Sequence, residues 1–337
     1  MFEYTLRRIL WVIPVIIAVA TVTFILMNRA PGGPWDREKT LPLATIKALD
    51  AKFGLDKPLW INPDAVSQAA AAGERNPLAL TRALLDSRYF NYMSGVARFD
   101  LGPSYASKGS ESVQQLIARK FPVSLRLGIV AIIFSVIVGI PLGIVAALRQ
   151  NTWLDYLCLG TSTLGVSVPT FVSGLLLLLF LSRTLDFSPI RSPEDWDGFG
   201  PAYLLPGIVL GLGTMAYIAR LTRVSMLEIK RQDFIRTARA KGLASRNVVS
   251  GHMLRNALIP IVTILGPAAA DLVTGSIIIE SIFGAPGLGR EFVESISKRD
   301  YSVIMGTAIF YAVLVAVANV FVDLTYGIVD PRIRVRR

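Results

Sequence analysis

Long apolar runs separated by short charged stretches set the rhythm of this sequence. Six of them are mainly apolar over roughly the 20 residues a helix needs to cross the hydrocarbon core of a bilayer. They run approximately from Ile9 to Met27, Val123 to Leu148, Tyr156 to Leu181, Tyr203 to Leu221, Ala257 to Ile279 and Val303 to Ile328. No water in the bilayer core can satisfy a bare backbone, so runs of this length predict helices. The fold class that follows is an all-α integral membrane protein with six transmembrane helices. The first run follows Arg7 and Arg8 and contains Ala18-Val19-Ala20, which raises a cleaved signal peptide. Its apolar stretch continues through Phe24 and Leu26, past the roughly 7 to 15 residues of a signal core, and reads as an uncleaved anchor.

The basic residues between the runs give an orientation. Lys and Arg concentrate in cytoplasmic loops, and an N-terminus in the cytoplasm places Arg7, Arg8, Arg149, the segment Arg223 to Arg255 and the tail with Arg332, Arg334, Arg336 and Arg337 on that side. The short loops on the other side, near Arg183 to Ala202 and Ser281 to Tyr301, are poorer in basic residues and carry offsetting acids. Both termini are then expected in the cytoplasm. The segment from Asn28 to Lys120 falls outside and is too long for the charge rule to govern. Lys47 to Phe53, Ala65 to Ala72 and Leu78 to Leu85 look weakly helical within it, punctuated by Pro58, Pro63 and Pro77. The organisation expected is an N-terminal transmembrane helix over 1–28, an extracytoplasmic segment over 29–120, and a five-helix core over 121–337 that carries a cytoplasmic segment at 223–256.

Composition narrows the function classes. Of 337 residues 53% are hydrophobic and 18% charged, and the net charge is +11. That excess borders the apolar runs, which suits membrane orientation rather than nucleic acid. One cysteine, Cys158, and one histidine, His252, leave no room for a disulfide within the chain or a multi-histidine metal site. Gly33-Pro34-Trp35-Asp36-Arg37-Glu38-Lys39-Thr40 nearly matches a phosphate loop, but Glu38 stands where the second glycine is required and would repel phosphate. No other stretch offers such a loop, so no nucleotide site and no cofactor is expected on this chain. Gly287-Leu288-Gly289 has no preceding strand and no third glycine, and reads as a turn. A membrane-embedded enzyme would need a paired-acid, serine–histidine or metal constellation in the spans, which the sequence does not offer. A stand-alone secondary transporter would usually show an internal repeat and more intramembrane ionisable residues.

The stretch between the fourth and fifth runs is the most informative. Gln232-Asp233-Phe234-Ile235-Arg236-Thr237-Ala238-Arg239-Ala240-Lys241-Gly242 reads as a short helix with Asp233 as N-cap and Gly242 as a left-handed terminator. Ser245 follows as a possible cap for a helix running towards Pro260. A short helix held crosswise between two spans is a handle: something pressing on it moves both.

Ala238-Arg239-Ala240-Lys241-Gly242 followed by Leu254-Arg255-Asn256-Ala257-Leu258-Ile259-Pro260 resembles the permeases of ATP-binding-cassette importers, in their peptide and nickel branch. The family's wider coupling motif begins Glu-Ala-Ala; here Arg236, Thr237 and Ala238 fill those places, so its glutamate is absent. Glu280-Ser281-Ile282-Phe283 with Pro286-Gly287-Leu288-Gly289, Arg299-Asp300-Tyr301, Asp323-Leu324-Thr325-Tyr326, Asp330-Pro331-Arg332-Ile333-Arg334, Gly54-Leu55-Asp56-Lys57-Pro58 and Asp100-Leu101-Gly102 extend the resemblance over nearly the whole chain. Trp60 to about Asn91 departs from it, being longer than the family usually carries there. The resemblance implies a type I importer permease in the cytoplasmic membrane, with a second homologous permease, two ATPase subunits and an extracytoplasmic binding protein as partners, and peptides or similar small solutes as cargo. It assigns ATPase coupling to Asp233, Phe234, Arg236, Thr237, Ala238, Arg239, Lys241 and Gly242.

Asp271 lies inside the fifth run, where a lone aspartate costs about 2.5 to 3.5 kcal/mol on insertion scales, so it should face protein or a water-filled path. A hydrogen bond to a neighbouring helix and a substrate contact are both open readings. Glu280, near a span end, and Pro169, inside the third run, are the other candidates for a translocation path, with loop anchoring and ordinary helix packing as their alternatives.

Overall fold

The computed structural model describes residues 2–35, 42–184, 192–274 and 277–329. Asp36 to Thr40 of the near phosphate loop, 185–191 of the loop after Arg183, Gly275, Asp330-Pro331 and the tail arginines Arg332, Arg334, Arg336 and Arg337 lie outside the described residues. What is described is almost wholly helical. An isolated bridge between Pro103 and Ser112 stands among the described residues, and no strand does.

In chain order the helices are α1 (Phe2–Arg29), α2 (Leu43–Phe53), α3 (Pro63–Ala71), α4 (Pro77–Leu84), α5 (Arg88–Ala97), α6 (Val113–Leu148), α7 (Trp153–Ser167), α8 (Thr170–Thr184), α9 (Leu204–Lys230), α10 (Asp233–Ala240), α11 (Ser245–Asn247), α12 (Arg255–Val273), α13 (Ile277–Ile282), α14 (Leu288–Ser297) and α15 (Tyr301–Val329). A π-helical turn, Val248–Leu254, joins α11 to α12. Among the described residues five helices are long and apolar enough to cross a membrane, and the pair α7 and α8 makes a sixth crossing if taken together.

That pair breaks the third run, Tyr156 to Leu181, into two helices. The two helices are bent by 108° at Val168-Pro169. Proline lacks the N–H of a helix interior and pushes the residue before it out of the helical region. Val168 accordingly sits at φ −83 and ψ 123, and the Pro169 carbonyl restarts the chain as α8 by accepting from Val172 N–H at 2.9 Å. Pro122 and Pro141 stay inside α6, and Pro260 and Pro267 inside α12. The fifth span also shifts: it runs Ser245–Val273, and α13 is a separate short helix where the apolar run had been expected to continue to Ile279.

Contacts divide the chain into two compact units. One comprises Trp11–Arg119 with Phe292–Ala312. Here Phe24 of α1 packs edge-on against Tyr89 at 5.3 Å and stacks with Tyr92 at 5.8 Å. The three helices expected between Asn28 and Lys120 form with boundaries moved by a few residues, and α5 is an addition. Asp300 fastens the loop before α6: it accepts from Ser104 Oγ at 2.5 Å, Ala106 N–H at 2.9 Å and Tyr105 N–H at 3.1 Å. Lys57 pairs with Asp86 at 2.6 Å, and that cation with the Asn91 amide holds the Asp86 carboxyl below the usual carboxylate range.

The other unit comprises Met1–Leu10, Lys120–Glu291 and Val313–Arg337. Its centre is α9, packed against α6, α7, α8 and α12. Lipid offers no hydrophobic drive for helix association, so close packing of small residues must supply it. A Cβ on Gly143 of α6 would stand 2.5 Å from the Ala219 carbonyl of α9, and one on Gly211 of α9 would stand 2.6 Å from the Ala131 carbonyl of α6. Backbone thus meets backbone at both places. Ser135 Oγ adds a bond to the Gly211 carbonyl at 2.9 Å.

Glu280 of α13 is fully buried in this unit. It accepts from Ser124 Oγ of α6 at 2.7 Å and from Arg290 N–H at 2.7 Å, while Ser124 Oγ accepts from Leu288 N–H at 2.9 Å. A side chain on Gly287 would overlap the Glu280 carboxyl group. The Pro286-Gly287-Leu288-Gly289 turn is therefore wrapped around one carboxylate, and α14 begins on it. Burial pushes the Glu280 carboxyl above its usual range, against the hydrogen bonds that lower it. Replacing Glu280 with Ala orphans buried donors and should cost on the order of 3 kcal/mol, seen as a lower melting temperature in detergent, with Glu280→Gln losing less. Because the folded-state pKa is raised, the contribution of this group is full below the ordinary glutamate value of 4.5 and is lost as pH rises through the folded value. Glu280→Gln should flatten the melting-temperature profile in that window; a profile unchanged from wild type would count against this assignment.

Candidate functional site

The connection from α9 to α12 folds as a small platform. α9 ends at Lys230, and after Arg231 and Gln232 the chain turns into α10. The N-cap is Gln232, extended at φ −72 and ψ 147, with no side-chain capping bond; Asp233, expected there, is the first helical residue. An acid at that place still favours the helix through the unpaired N–H groups of the first turn, and Asp233 lies 3.5 Å from Arg236 on the exposed face. The far end closes as the sequence indicates. Gly242 takes φ +78, its N–H donates to the Arg239 carbonyl at 2.9 Å, and Leu243 N–H donates to the Ala238 carbonyl at 3.3 Å. That pair of bonds is the Schellman arrangement, and the left-handed position is costly to any residue with a Cβ.

α10 has two faces. Ile235 and Ala238 are buried with Ala147 of α6, Met226 of α9, and Val248, Met253 and Ala257 at the foot of α12. Asp233, Phe234, Arg236, Thr237, Arg239 and Lys241 are exposed, Phe234 by 45%. Ala238 therefore belongs to the anchor, whereas the other side chains assigned to coupling form an outward surface. The anchor spans three elements, so a push on the outer face is delivered to α6, α9 and α12 together. Ser245 opens the next helix as its first residue, with Ala244 as N-cap. The π-helical turn at Val248–Leu254 places Val248 and Met253 in the anchor cluster.

The candidates for a translocation path fall in different settings. Pro169 lines a groove of about 400 Å³, shared with Gly165 and Val168 from the bend, Gly213 and Tyr217 of α9, and Ala268 of α12. Ile264 lines it as well, and Asp271 lies two helical turns beyond Ile264 on the same stripe. Asp271 is exposed. Its backbone carbonyl accepts from Thr274 Oγ1 at 2.6 Å, and among the described residues its carboxylate has no hydrogen-bond or ion-pair partner, so the hydrogen bond to a neighbouring helix is not made there. Glu280 is fully buried and enclosed by its own turn.

Two features escaped sequence reasoning. Ser124, the hydroxyl that relays Leu288 N–H to Glu280, sits in an apolar run with nothing nearby to mark it. Asp155 of α7 and Arg223 of α9 pair through two parallel bonds, Nε to Oδ1 at 2.6 Å and Nη2 to Oδ2 at 2.7 Å. Their separation of 68 residues hides the pairing, although an acid immediately before an apolar run was a signal available to be followed.

Comparison with known proteins agrees with this geometry. Residues 139–335 match the family described as binding-protein-dependent transport system inner membrane component. The dipeptide transport system permease protein DppB of Bacillus subtilis (strain 168) is 40% identical over 338 residues, covering 100% of this chain and 99% of that protein. The oligopeptide transport system permease protein OppB of Escherichia coli (strain K12) is 37% identical over 335 residues, covering 99% and 100%. Among solved structures, the inward-facing MetNI methionine ABC transporter aligns with a TM-score of 0.53 at 19% identity, covering 66% of this chain and 99% of that one. An amino acid ABC transporter aligns with a TM-score of 0.50 at 18% identity, covering 63% and 92%; both likenesses concern the fold. This chain belongs to the family of inner membrane components of binding-protein-dependent transport systems.

Proposed function

We propose that this multi-pass permease forms half of the path by which an ATP-driven importer of the cytoplasmic membrane takes up peptides or similar small solutes. The observation that carries the reading is α10: a short helix locked by Ile235 and Ala238 into the feet of three long helices, with Phe234, Arg236, Thr237 and Arg239 turned outward. A second, homologous permease completes the path, two ATPase subunits bind and hydrolyse ATP, and an extracytoplasmic binding protein delivers the solute. Phe234 and the surrounding charges dock in a groove of one ATPase. Closure of the ATPases around ATP then biases the bundle towards one of two arrangements, in the manner of rigid elements moving about packed interfaces. Both termini lie in the cytoplasm, on the side of α10. Peptide cargo is supported by the two relatives named for dipeptide and oligopeptide transport. The groove at Pro169 and the carboxylate of Asp271 lie on the path, and Glu280 serves as the anchor of the turn before α14.

The test separates anchor from docking surface. Ile235→Ala removes a fully buried side chain and should lower stability by about 2 to 5 kcal/mol. Phe234→Ala with Arg236→Glu touches the outer face alone. It should leave the melting temperature of the purified permease unchanged and reduce binding-protein-stimulated ATP hydrolysis at least tenfold in the reconstituted complex. Stimulation at the wild-type level would remove the docking role. For the path, Asp271→Leu should leave stability intact, since the carboxylate holds nothing in the described chain, and should impair peptide uptake. A large loss of stability with normal uptake would make Asp271 a fold anchor instead.

A further inference from the structure

The bonds between Asp155 and Arg223 stand apart from both the α10 platform and the groove, and they connect the helices that carry them. The side chains are 1% and 18% exposed respectively, an expensive arrangement for two charges unless each satisfies the other closely. Asp155 Oδ2 also accepts from Asn151 N–H at 2.9 Å, and Asn151 holds the left-handed conformation at φ +63. One carboxylate thus fixes the α6–α7 turn, the first turn of α7, and the face of α9 two helical turns before Lys230. Farther along, a Cβ on Gly165 of α7 would stand 3.0 Å from the Ala216 Cβ of α9. The two helices are held at one point by charge and at the other by close packing. Beyond Gly165, α7 ends at the Pro169 bend that lines the groove.

We propose that Asp155 and Arg223 form a positioning pair that makes α7 move with α9, so that displacement of the α10 platform reaches the Pro169 bend. α10 joins α9 directly through Arg231-Gln232, but nothing in the α10 anchor cluster belongs to α7. The pair is the strong link from α9 to α7 at the α10 end. A guanidinium–carboxylate fork fixes distance and angle together, which apolar packing does less well. Without it α7 can slide on α9 while the rest of the platform stays whole.

This inference rests on the permease reading, and the experiment keeps the two apart. The complete transporter, with both permeases, ATPases and binding protein, is reconstituted in liposomes, and uptake of labelled dialanine and trialanine is measured against ATP hydrolysed. The double variant Asp155→Leu with Arg223→Met removes both charges without orphaning either. It should assemble and keep binding-protein-stimulated hydrolysis within twofold of wild type, while peptide taken up per ATP falls at least tenfold. The exchanged pair, Asp155→Arg with Arg223→Asp, should recover part of that loss. A wild-type ratio in the apolar double variant overturns the proposal. If that variant does not assemble, the neutral pair Asp155→Asn with Arg223→Gln decides by the same ratio; failure of both to assemble makes the pair a folding element and overturns it too. A wild-type complex that neither hydrolyses ATP under binding-protein control nor takes up peptide sinks the permease reading, and the proposal with it.

Discussion

The close approach of α9 to its neighbours is the constraint on which the unit built around it depends. Apolar side chains gain nothing by leaving lipid for one another, so the bundle is held where backbones meet and where a few polar groups find partners. Gly143 and Gly211 bring α6 and α9 into backbone contact, Gly165 lets α7 close against the Ala216 side chain of α9, and Ser135 bonds across at Gly211. A helix held on several sides in this way transmits force rather than absorbing it. The polypeptide then passes from α9 through two residues into α10, which makes the most constrained helix of the unit the one that carries the outward-facing platform.

Polar groups inside the unit act at two of its joints. At one end, Glu280 organises the turn that opens α14 by accepting its backbone N–H groups and the Ser124 hydroxyl. Elsewhere, Asp155 and Arg223 join α7 to α9. Each replaces a backbone or side-chain partner that water would have supplied. Asp271 differs from both, since its carboxylate is exposed on a long apolar helix and unpaired among the described residues, a position that calls for a neighbour beyond this chain or a wet path.

Much of this was legible in one dimension. Apolar runs located the five described helices that are long and apolar enough to cross a membrane, and the bent pair α7 and α8, because length and hydropathy are local properties; Gly242 was identifiable as a helix terminator because a left-handed residue is a local requirement. The bend at Pro169 was not, since four other prolines remain inside α6 and α12 without breaking them; which prolines break a helix is decided by packing. Asp233 misled for a similar reason: the backbone turned one residue earlier, and an acid suits the first turn as well as the cap. Arg88–Ala97 was passed over because it is the least apolar of the four short helices before α6, although its helical period is no weaker than theirs. The pairings of Ser124 with Glu280 and of Asp155 with Arg223 join residues 156 and 68 positions apart, and local pattern carries no trace of such contacts. Arg299-Asp300-Tyr301 was visible as a motif, whereas its reason, a carboxylate receiving the loop at Ser104 to Ala106, needed three dimensions.

In the proposed mechanism, ATPase subunits press on this chain at the outer face of α10. Site-directed cross-linking tests it most directly: Phe234→Cys in a Cys158→Ser background, compared with cysteines at Arg236 and Arg239, probed in the assembled transporter with and without a non-hydrolysable ATP analogue. Adducts are expected from position 234 to an ATPase subunit, with a yield that changes when the nucleotide closes the ATPases. Copurification of the ATPases with no adduct from any of the three positions would contradict it.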